Sequence, residues 1–178
     1  MVVRSFPRHN PLFISVLILF FALFAHQANA GPDMTREDRE KLSALASEEF
    51  LFVTEFLNSV DKNALPHDDY EFYDLWLKGL EKERSGRPAD SIIFYKKALE
   101  VDRGELSTYE ILFSLGRAYF LNGQKDKAIS ALLEFTRNAE QDLSEAGPWP
   151  LTAEGEQVMR RKIAYSKWLI DLLKRSGE

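Results

Sequence analysis

Residues 72–86 read FYDLWLKGLEKERSG and residues 109–123 read YEILFSLGRAYFLNG. Laid over each other at an offset of 37, the two stretches pair Leu75 with Leu112, Gly79 with Gly116 and Gly86 with Gly123. The same offset pairs Ser91 with Ala128 and Tyr95 with Leu132 further along. A single amphipathic pattern would scatter its chance matches over neighbouring offsets. A constant offset shared by small and large residues therefore marks two copies of one unit.

Each copy predicts a helical hairpin, with a first helix near 70–85 or 107–121 and a second near 88–101 or 125–140. Gly86 and Gly123 fall where a helix C-terminus needs a residue free to take positive φ. Pro88 follows in the first turn of the next helix, where its missing N–H is not required.

These residues resemble the tetratricopeptide repeat, a helix-turn-helix unit of about 34 residues. The second copy carries Leu112, Leu115, Gly116, Tyr119, Gly123, Ala128 and Leu132 at that family's spacing. The first carries Leu75, Gly79, Gly86, Ser91, Tyr95 and Ala98, then Leu99, Glu100, Val101 and Asp102 as an end to its second helix. Two positions depart from the pattern: Lys78 replaces an apolar residue and Phe135 a small one. The extra length of each unit fits a longer connection around Arg103 to Thr108. Gly79, Gly116, Ser91, Ala98 and Ala128 are small where two helices cross closely. The resemblance implies an all-α fold, a short right-handed solenoid with repeats at about 72–105 and 109–142.

A short stack of hairpins leaves an apolar face open at each end, so the flanks are read as capping helices. The first spans about 35–61: Thr35 and Asp38 make a capping start, and Leu42, Leu45, Ala46, Val53, Phe56, Leu57 and Val60 recur at helical spacing. Phe50, Leu51 and Phe52 widen that stripe and predict burial on more than one side. Gly147, Pro148, Pro150 and Gly155 crowd the segment before the last helix, so it reads as a loop, with Trp149 folded onto neighbouring helices. The last helix is expected at about 153–175, with Val158, Ile163, Tyr165, Trp168, Leu169, Leu172 and Leu173 on its apolar side.

Arg4 and Arg8 precede an apolar run from Leu12 to Ala25, and Ala28, Asn29 and Ala30 give the small-x-small pattern of a signal-peptidase site. Residues 1–30 read as a signal peptide and 31–178 as the helical domain. The run is shorter than the roughly 20 residues that span a bilayer. Retention as a membrane tether is the alternative, and membrane contact is expected only in that case. Cleavage takes the cations from 23 to 21 against 28 acids, a net charge of −7. This surplus of acids excludes binding to the phosphate backbone of nucleic acid. With no cysteine in the chain, a disulfide scaffold, a cysteine nucleophile and a lipidated N-terminal cysteine are all excluded.

No catalytic residue, metal site or cofactor is assigned. His67, beside Asp68, Asp69 and Glu71, is the one histidine after residue 30, and the two aspartates are ordinary partners of a helix N-terminus. Glu48 and Glu49 read as a solvated pair, and Arg160, Arg161 and Lys162 as a basic spot on the surface. There is no Gly-x-Ser-x-Gly elbow and no phosphate-cradling glycine loop.

The resemblance implies a non-catalytic scaffold or adaptor that binds a protein or peptide, exported to the periplasm or cell envelope. By the family's spacing, Tyr73, Trp76, Leu80, Arg84, Phe113, Arg117 and Phe120 line the concave face. The lysine and asparagine set with which members clamp a peptide's terminal carboxylate is absent there, which points to an apolar helix or extended peptide as ligand. Two states of this face stay open: free to a partner, or covered by the N-terminal helix or by Trp168 and its neighbours. A carrier of an apolar small molecule is a further alternative.

Overall fold

The computed structural model describes residues 34–61, 66–101, 108–144 and 153–175. The signal peptide expected over 1–30, the connection expected around 103–107 and the loop expected around residue 149 lie outside the described residues. Among the described residues six helices follow one another: α1 (Arg36–Ser59), α2 (His67–Arg84), α3 (Pro88–Val101), α4 (Thr108–Leu121), α5 (Lys125–Ser144) and α6 (Ala153–Arg175). Among the described residues there is no strand, and the fold is the all-α helical-repeat class the sequence predicts.

The local signals act where the residues place them. The Thr35 side chain accepts from the Asp38 backbone N–H at 3.2 Å while the Asp38 carboxylate accepts from the Thr35 N–H at 3.0 Å, closing a reciprocal cap on α1. Gly86 and Gly123 both take φ 70°. Around Gly86, Arg87 N–H donates to Lys82 O and Gly86 N–H to Glu83 O. Around Gly123, Gln124 N–H donates to Tyr119 O and Gly123 N–H to Phe120 O. This paired closure satisfies the last carbonyls of a helix that ends in a left-handed residue, and it repeats at the offset of 37.

The helix crossings repeat in the same register. A Cβ on Gly79 would collide with the Cδ1–Cε1 edge of the Tyr95 ring, and one on Gly116 would lie 2.7 Å from Leu132 Cδ2. The bare glycine backbone is thus what lets α2 approach α3 and α4 approach α5. Phe135, the departure from the family pattern, is fully buried with its ring 5.2 Å from that of Phe113, so the second hairpin fills with an aromatic pair what the first closes with Ala98. Lys78, the other departure, is exposed and pairs with Asp74 at 2.6 Å.

Two apolar clusters share α4 between them. Ile111, Leu115 and Ala118 join Phe72, Trp76, Leu80, Ile92 and Tyr95, whereas Leu112, Phe113 and Phe120 join Leu132, Phe135 and the α6 residues Met159, Ile163 and Leu169. Helix α4 is consequently buried on all sides from Ile111 to Ala118.

Both flanking helices form, with corrections to the faces they bury. In α1 the buried stripe is Leu42, Leu45, Ala46, Glu49 and Val53. Leu51 and Phe52, expected to be buried, are 58% and 56% exposed: Leu51 lies across the helix from that stripe and Phe52 beyond its edge. In α6 the buried stripe is Met159, Lys162, Ile163, Ser166, Leu169, Ile170 and Leu173. Val158, Tyr165, Trp168 and Leu172 are half-buried along its edges.

Helix α1 does more than cap the first hairpin. Its Phe56 ring meets Tyr73 at 4.2 Å and its Phe50 ring lies under Arg84 at 4.0 Å, so it runs antiparallel to α2. Glu49 reaches Arg117 of α4, and Glu48 and Glu49 reach Arg161 and Lys162 of α6. Its N-terminal leucines 42 and 45 belong to the second apolar cluster and Val53 to the first. The helix therefore spans the face shared by α2, α4 and α6.

Candidate functional site

A group of charged and polar side chains lies sealed beneath α1. Arg117, fully buried on α4, donates from Nε to Glu83 of α2 and from Nη2 to Glu49 of α1 at 2.8 Å and to Glu83 at 3.2 Å. Tyr95 of α3 donates its hydroxyl to Glu83 at 2.8 Å. Ser114 donates to Glu49 at 3.0 Å and accepts from the Trp76 indole N–H at 3.1 Å. From α6, Lys162 places its ammonium 3.1 Å from Glu49 and 3.3 Å from Glu110. The Phe113 ring lies near both cations, its centroid 5.3 Å from the Arg117 guanidinium carbon and 5.8 Å from Lys162 Nζ.

The ionisation states follow from this pairing. Burial raises the Glu49 carboxyl, but Arg117 and then Lys162 outweigh it and hold the group below the ordinary carboxylate range. Burial works against the charge on Arg117, yet Glu83 and Glu49 keep it firmly protonated. Lys162 is likewise disfavoured by burial and then raised by Glu110 and Glu49. Burial, reinforced by Glu83, pushes the Tyr95 hydroxyl well up, so it remains a donor. The pairing keeps Glu49, Arg117 and Lys162 charged and fastens α1, α2, α3, α4 and α6 to one another.

The residues expected on the concave face take these places. Trp76, Leu80, Phe113, Arg117 and Phe120 are buried, and Tyr73 and Arg84 are half-buried at the rim against Phe56 and Phe50. Of the two states open from the sequence, the covered one is adopted. The cover is α1 together with α6, whose Lys162 joins the charged cluster and whose Ile163 and Leu169, neighbours of Trp168, pack in one cluster with Phe113 and Phe120.

Two expectations are corrected outright: Glu49 is 4% exposed and Lys162 6% exposed, neither being part of a solvated surface. Their sequence signal was phase, since both stand at the centre of an apolar stripe, where a charge survives only if paired. His67, by contrast, is exposed, with Nδ1 3.8 Å from carboxylates of Asp68 and Glu71. Among the described residues no group of three or more histidine or carboxylate side chains is placed to hold a metal ion.

Hairpins that repeat their caps, crossings and register define a helical-repeat protein. Residues 109–142 match the tetratricopeptide repeat family, and the first hairpin repeats the register of the matched one. No curated protein and no solved structure matches the chain. Repeats of this family serve generally as scaffolds for protein–protein interaction.

Proposed function

We propose that this protein is an exported, non-catalytic adaptor of the periplasm or cell envelope that binds protein partners through its tetratricopeptide-like hairpins. The observation that carries the reading is the face of α2, α4 and α6, which already holds an amphipathic helix, α1, by apolar side chains and a central carboxylate. The export component is supported by the apolar run Leu12 to Ala25 and the Ala28-Asn29-Ala30 junction.

Two measurements test the proposal. Photo-cross-linking residues placed at the exposed positions Phe52 and Ile93 are expected to yield discrete adducts with another protein in the producing cell, and absence of any adduct at both positions counts against an adaptor. The mass of the purified protein is expected to begin at Gly31. An intact Met1 would replace the secreted form by a membrane tether.

A further inference from the structure

Helix α1 precedes both hairpins, and the glycine crossings that hold α2 to α3 and α4 to α5 involve none of its residues. Its inner stripe is simple: Leu42, Leu45 and the small Ala46, then Glu49, then Val53. Three polar groups of its seat converge on the Glu49 carboxylate: Arg117 Nη2, the Ser114 hydroxyl and Lys162.

Without that carboxylate, Arg117 keeps Glu83 and Lys162 keeps Glu110, but both cations lose their shared partner beside the Phe113 ring. Arg117 Nη1 is buried with no hydrogen-bond partner among the described residues. The face under α1 is therefore selective. An apolar helix alone would leave two buried cations short of charge, which is costly, whereas a helix that brings a carboxylate in register restores them.

We propose that the face covered by α1 is a docking site for a partner's amphipathic helix carrying a carboxylate with apolar residues seven and four positions before it and four after it, and that α1 is the resident competitor for that site. The inference rests on the adaptor reading and specifies its ligand. Partner affinity is set by the difference between the incoming helix and α1, so the closed state filters out helices that lack the acid.

The test uses the full chain and a fluorescent synthetic peptide copying residues 34–60, followed by anisotropy. The peptide is expected to bind the Glu49→Gln chain at least ten-fold more tightly than the natural chain, because the resident helix is weakened. A peptide with Gln at the same position is expected to bind that variant at least ten-fold more weakly than the natural peptide. In the cysteine-free background, a Glu48→Cys/Arg161→Cys chain joined by a short bismaleimide ties α1 to α6 and is expected to lose peptide binding. Equal binding to tied and untied chains would overturn the proposal, as would no binding to either the natural or the Glu49→Gln chain when both retain helical circular dichroism. If Glu49→Gln does not fold, the tied and untied pair decides alone. A dimer that exchanges α1, seen by light scattering and abolished by the tie, would overturn it in favour of a second copy as occupant. A Phe52 cross-link that persists in the tied chain would remove this inference and leave the adaptor reading standing.

Discussion

Replacing Arg117 by methionine tests the sealed cluster most severely. The side chain is fully buried and is a shared partner of two buried carboxylates, Glu49 on α1 and Glu83 on α2. Methionine keeps much of the volume, so the loss is electrostatic. Glu49 retains Lys162 and Ser114, and Glu83 retains the Tyr95 hydroxyl. Breaking a buried pair from one side costs about 3–5 kcal/mol. At ~2–4 °C per kcal/mol for a chain of this size, the midpoint is expected to fall by roughly 6–20 °C in calorimetry at pH 7.5. The loss is expected to shrink on acidification. In the natural protein Glu49 titrates below its unfolded value, so its contribution is present above that value and fades as pH falls through the lower folded one. In Arg117→Met the main source of that depression is gone. A fall of under about 1 kcal/mol at pH 7.5 would show that these charges are solvated and the seal is absent, since surface pairs contribute only about 0–1 kcal/mol.

Gly79→Ala is expected to destabilise by about 1–3 kcal/mol in urea unfolding, because the added methyl meets the Tyr95 ring, which is held in place by Glu83. Gly116→Ala, meeting the more adaptable Leu132, is expected to cost less, and equal or reversed costs would contradict the crossing geometry. Leu45→Ala is expected to cost about 2–5 kcal/mol and Leu51→Ala less than about 0.5, since the two lie on opposite faces of α1; the reverse order would place α1 in another phase. Natural-protein stability, followed by urea titration from pH 7 to pH 3, is expected to decline below the ordinary glutamate range as Glu49 is forced to take up a proton, and a flat profile would contradict its pairing.

The hairpins were legible because their information is local. Gly86 and Gly123 announce their own turns, Pro88 its own helix start, and the pairing of Gly79 with Tyr95 and Gly116 with Leu132 appears as one offset in the chain. The cover was half legible: Thr35 and the leucines of α1 marked a helix, but Leu51 and Phe52 blurred its phase by adding exposed apolar residues beside the buried stripe. The cluster was hardly legible. Glu49 and Arg117 are 68 positions apart, and Glu48 and Arg161 are 113 apart, so no spacing rule connects them. A charged residue is assumed solvated until its neighbour in space is known. The position of Glu49 at the centre of the stripe formed by Leu42, Leu45, Ala46 and Val53 was the one sign that a cation must meet it.

The most direct measurement is a crystal structure of the chain from residue 31 onward. The account predicts α1 lying across α2, α4 and α6, with the Glu49 carboxylate 2.8 Å from Arg117 Nη2 and 3.1 Å from Lys162 Nζ. An α1 standing away from the hairpins, with Arg117 open to solvent, would contradict it.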